Sequence, residues 1–87
     1  MEKIVRNYRI IIKQDAYPDT KKVCYSALCP TLGLADYGDS VEEAVRNIND
    51  LIRFHLGSLE NEGKEIPVDE PEKELVTEVQ VDLSSHA

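Results

Sequence analysis

The chain has 87 residues and a mass of 9.8 kDa, enough for one small domain that buries only about 60–65% of its unfolded surface and gains from association into a dimer or larger oligomer. A hydrophobic fraction of 41% and a charged fraction of 31% exclude a disordered tail, and the longest purely aliphatic run, Ile10-Ile11-Ile12, is far short of the roughly 18 apolar residues that span a bilayer. The formal charge of −7 falls wholly in the last third: residues 1–59 hold eight Lys+Arg against eight Asp+Glu, residues 60–87 two against nine, a balance that repels phosphate backbones and attracts a basic protein.

Met1-Glu2-Lys3-Ile4 lacks an apolar signal core, which predicts a cytoplasmic address. A first strand is predicted over about 3–13. Ile4, Tyr8, Ile10 and Ile12 share one face with Arg6, and Val5, Asn7, Arg9, Ile11 and Lys13 share the other, as in a half-buried strand. Asp15 to Lys21 contains Pro18 and Asp19 and predicts a reversal. A second strand follows over 22–29, with Val23, Tyr25, Ala27 and Cys29 on one face, ended by Pro30, which has no N–H for a ladder. Leu34 to Tyr37, after Gly33, is a short third strand.

Ser40 predicts a helix start. Its hydroxyl can accept from the amide three residues on, where Glu43 completes a capping box. Over about 41–62, Val41, Ala44, Val45, Ile48, Leu51, Ile52, His55, Leu56 and Leu59 recur at i, i+3, i+4 and i+7 and form one apolar stripe. Gly63 is the expected stop. Residues 63–74 carry many acids with Pro67 and Pro71 and predict an extended connector. Leu75, Thr77, Val79, Val81 and Leu83 then alternate with Val76, Glu78, Gln80 and Asp82, predicting a fourth strand over 75–83 with one wet face. The order β-β-β-α-β predicts a two-layer α+β domain filling the whole of 1–87.

Reactive chemistry is not expected. Cys24 and Cys29 fall on opposite faces of the second strand, which opposes a disulfide or a shared metal, and His55 and His86 show no zinc spacing. The four glycines, at 33, 38, 57 and 63, do not cluster as a phosphate cradle does. Asp36 and Asp39 are close in sequence, but Asp and Gly are also common turn residues, and both read as structural. No catalytic residue, metal ligand or cofactor is assigned. Phe54 is different: it lies roughly 130–140° from the centre of the apolar stripe, where an aromatic residue suits an interface anchor. From that position and from charge, Phe54, Glu60, Glu62, Glu65, Asp69 and Glu70 are the candidate partner-binding residues.

Tyr25-Ser26-Ala27-Leu28-Cys29-Pro30-Thr31-Leu32-Gly33-Leu34, then Tyr37-Gly38-Asp39-Ser40-Val41-Glu42-Glu43-Ala44, resembles the HicB family of bacterial antitoxins. Leu56, Leu59, Glu62-Gly63 and Ile66-Pro67 extend the likeness over roughly residues 8–83. The resemblance implies a partial RNase H-like fold without nuclease activity, with sheet order 3-2-1-4. It also implies a dimer or tetramer that covers a small basic mRNA-cleaving toxin of the HicA type. Two features depart from the pattern. Leu34 stands where cysteine is common, and only about four residues follow the expected last strand, where many members carry a DNA-binding module; operator binding by this chain is therefore not expected. Two other readings stay open: a free-standing oligomeric binding module with another partner, and a nuclease remnant acting through Asp36 or Asp39.

Overall fold

The computed structural model describes residues 5–84. The predicted strand residues Lys3 and Ile4, and His86 in the tail, lie outside that range. Strand β1 spans Ile11–Ala16, β2 Val23–Cys29 and β3 Leu34–Gly38; helix α1 spans Val41–Asn61. The strands form one antiparallel sheet in the order β1-β2-β3, with α1 packed chiefly on β3 and β2. The fold is α+β.

The β1–β2 hairpin runs from Ile11 opposite Leu28 to Ala16 opposite Val23. Its loop is closed by the Tyr17 amide donating to the Lys22 carbonyl at 2.9 Å, and Lys21 takes a φ of 62°. The strand starts later than the sequence predicts because β2 ends at Cys29 and the chain turns through Pro30–Gly33; residues 5–10 run past the end of their partner. It also runs on to Ala16, since backbone pairing with Tyr25, Cys24 and Val23 does not require apolar side chains. Gly33, at φ 66°, closes the β2–β3 turn by donating to the Cys29 carbonyl at 2.9 Å, in a conformation that favours glycine.

Three of the four residues predicted on one face of β2, Tyr25, Ala27 and Cys29, join the core, while Val23 at the start of the strand is exposed. Ala27 and Cys29 are buried against Ala44, Ile48 and Ile52 of α1, with Tyr8, Ile10, Ile12, Tyr25 and Leu34 packed around them. Cys24 is buried outside this cluster, and both cysteines are free thiols.

Helix α1 is fixed at both ends. Ser40 Oγ accepts from the Glu43 amide at 3.1 Å, a cap contributing about 1 kcal/mol. Glu43 Oε1 reaches back one residue further than a capping box requires, to the Asp39 amide at 2.9 Å. At the other end, the Gly63 amide donates to Glu60 and the Lys64 amide to Leu59, with Gly63 at φ 67°. This is a Schellman stop, and the helix ends one residue before the predicted Glu62. The sheet does not cover the whole apolar stripe: Val41 and Val45 are exposed.

The expected extended connector contains a 3₁₀ turn at Pro71–Lys73. The larger departure follows it. Residues 75–83 form no strand and pair with nothing among the described residues, in contrast to the predicted fourth strand. The alternation alone does not make a strand; its N–H and C=O groups need a neighbouring backbone, and here the segment projects from the body as an arm. The radius of gyration is accordingly 17.8 Å, against about 12 Å for a compact chain of this length.

Candidate functional site

The candidate partner-binding residues divide into two groups that the structure places differently. The first is a set of carboxylates and one aromatic facing water. Phe54 is 75% exposed on α1, on the side away from Ala44, Ile48 and Ile52, as its helical angle predicts. Glu60 stands exposed in the last turn of α1, and Glu62 and Glu65 lie exposed just beyond it. Glu62 pairs with Lys64 at 3.3 Å and Glu70 with Lys73 at 2.7 Å, both at the surface. Among the described residues, no salt bridge engages Glu60, Glu65 or Glu72. Phe54 and Glu60 both lie in the second half of α1, about 120° apart around the helix axis.

The second group is turned inward. Asp69, chosen from sequence as a partner-facing acid, has a side chain only 4% exposed. Its carboxylate accepts from the Arg9 guanidinium, with Nη2 at 2.8 Å and Nε at 3.0 Å, from the Arg9 backbone amide at 2.7 Å and from the Thr31 hydroxyl at 2.6 Å. Those bonds, the guanidinium first and the hydroxyl next, hold the carboxyl well below the usual carboxylate range. Arg9 also donates to Glu74 at 2.6 Å, which lowers the Glu74 carboxyl too. Tyr8 adds a hydroxyl bond to the Pro67 carbonyl at 2.6 Å. Asp69 is therefore a latch that ties the connector to the chain just before β1, not a member of the water-facing set.

Sequence reading missed Arg9, Thr31 and Glu74 because no local period links residues so far apart in the chain. Other residues weighed from the sequence make contacts within the chain. Asp36 accepts from the Tyr37 amide at 2.8 Å. Asp39 accepts from the Tyr17 hydroxyl at 2.7 Å, which pushes that phenol up to about 12. Burial raises the Cys24 thiol. Among the described residues, no three His, Cys, Asp or Glu side chains converge as metal ligands would, and no helix is long and apolar enough to cross a membrane.

An open apolar groove lies between residues 5–10 and the flank of α1, with Tyr8, Ile10, Val45, Ile52, Leu56 and Ile66 in its walls and Arg6, Arg53 and Glu60 among its polar groups. In comparison with known proteins, no family model matches the chain, and neither a curated protein nor a solved structure matches it.

Proposed function

We propose that the chain is an interaction protein of the antitoxin type, which binds a small basic mRNA-cleaving toxin and covers its RNA-binding surface. The observations that carry this reading are the exposure of Glu60, Glu62 and Glu65 at and just beyond the end of α1 and the exposure of Phe54 on the same helix. Carboxylates of one sign at one end of a protein steer a basic partner towards it, and an exposed aromatic side chain supplies an anchor that such a partner can bury. The resemblance of residues 25–44 and of Ile66-Pro67 to HicB antitoxins supplies the class of partner.

On this reading the domain is a partial RNase H-like fold whose complete sheet has the order 3-2-1-4. It acts without catalysis or cofactor, in the cytoplasm, as a homodimer or homotetramer, and it does not itself bind nucleic acid. Co-expression with a small basic ribonuclease encoded by the adjacent gene tests it. Growth is rescued, and a complex is recovered whose affinity falls as salt rises. Phe54→Ala weakens that complex by about 2 kcal/mol while changing the stability of the free chain by less than about 0.5 kcal/mol. Absence of rescue and of any complex overturns the proposal.

A further inference from the structure

We propose that residues 75–83 are an exchanged strand: the arm of one copy pairs with the outer edge of β1 in a second copy, and the second copy returns the same contact. Leu75, Val79, Val81 and Leu83 form a row along the arm, with exposures of 87, 82, 67 and 86%. A row of large apolar side chains on a segment with unpaired backbone is the signature of a strand awaiting a sheet edge.

The body leaves the matching surface open. Among the described residues β1 pairs only with β2, so its other edge presents free N–H and C=O groups. Beside the chain that leads into β1 lies the apolar groove, whose wall includes Val45, 43% exposed although it belongs to the apolar stripe of α1. Charge agrees with the pairing. The arm carries Glu78 and Asp82 and no Lys or Arg; the receiving side carries Arg6 and Arg53 against Glu60 in the groove and Lys13 against Asp15 on β1, a net positive charge of one. None of these three cations is in a salt bridge among the described residues.

The geometry selects a second copy as the occupant. Arg9 holds Asp69 and Glu74, which fixes the root of the arm at the start of β1. Beyond that root, after the Pro71 turn, the chain leaves the body, and the longest dimension of the molecule reaches 69 Å. Nine extended residues reach about 30 Å, the length of a strand lying along a neighbour. Each copy has one arm and one open β1 edge, so a two-fold axis satisfies both at once and closes the assembly. The proposal does not rest on the toxin reading, and it is tested on the purified chain alone.

Light scattering of the full chain gives twice the 9.8 kDa monomer mass. Successive amides of a strand point to opposite sides, so one of Val79→Pro and Gln80→Pro removes a ladder N–H whatever the register. At least one of the two weakens the dimer tenfold or more with the helical circular dichroism unchanged. In a mixture of differently labelled wild-type chains, isotope-filtered NMR shows contacts between residues 75–83 of one copy and 10–16 of the other. A monomer at all concentrations, a dimer indifferent to both prolines, or arm contacts confined to one chain overturns it.

Discussion

Asp69 and Phe54 show how differently two residues of one surface prediction behave. Phe54 sits where its helical angle puts it, because a helix repeats by local geometry alone. Asp69 looks like any other acid of the connector, yet its carboxylate is nearly saturated by Arg9 and Thr31. Its pH consequence follows from the direction of the shift. The folded carboxyl is lowered, so the stability it contributes is complete above the unfolded carboxylate range of about 4 and drains away as the pH falls through and below that range. Glu74 shifts the same way. Asp69→Asn therefore lowers the urea midpoint at pH 7, and the gap to wild type holds down to about pH 5 and narrows from there towards pH 3. Equilibrium urea titrations at several pH values check this; a gap that stays constant on acidification removes Asp69 as the source.

Elements with local causes were legible in the sequence. The helix was readable at both ends because Ser40, Glu43 and Gly63 act on backbone groups within a few residues of themselves. The second and third strands were set by Pro30 and Gly33. The start of β1 was not readable, since it depends on where β2 runs out, and the fourth strand was not, since alternation says which face is apolar but not which backbone lies alongside. The β3–α1 junction adds a constraint that the sequence hints at only through its Gly38-Asp39-Ser40 segment. Gly38 is buried against the first turn of α1. A Cβ there would press into the Ala44 backbone nitrogen and lie 2.8 Å from the Glu43 carbonyl carbon. Gly38→Ala forces the helix start away from β3, at a cost of about 1–3 kcal/mol or more. Chemical denaturation measures it, and an unchanged midpoint would show that the junction yields.

For the whole molecule, the sequence showed an acid-rich last third but not its division into an exposed end, an inward latch and an arm. That division is long-range: Arg9 meets Asp69 across 60 positions, and no window of the sequence holds both. The Asn47 side chain, donating to the Tyr37 carbonyl at 2.7 Å, and the Tyr17–Asp39 bond tie the helix and the hairpin loop to the β3–α1 region in the same non-local way. The compact part of the fold is thus assembled by contacts that leave residues 75–83 outside it.

A bare stretch of chain has an enemy as well as a use. The clefts of digestive enzymes accept substrate as bare backbone, residues 75–83 are exposed and in no helix or strand, and such exposed segments are where nicking concentrates. In a chain diluted until it is monomeric, a brief digestion with thermolysin, which cuts before large aliphatic residues, makes its first incisions between Leu75 and Leu83 and leaves the hairpin and helix whole; early cuts inside α1 would contradict this. The lifetime of the protein is then set by how much of it is accompanied, and a chain left alone is the first to be trimmed.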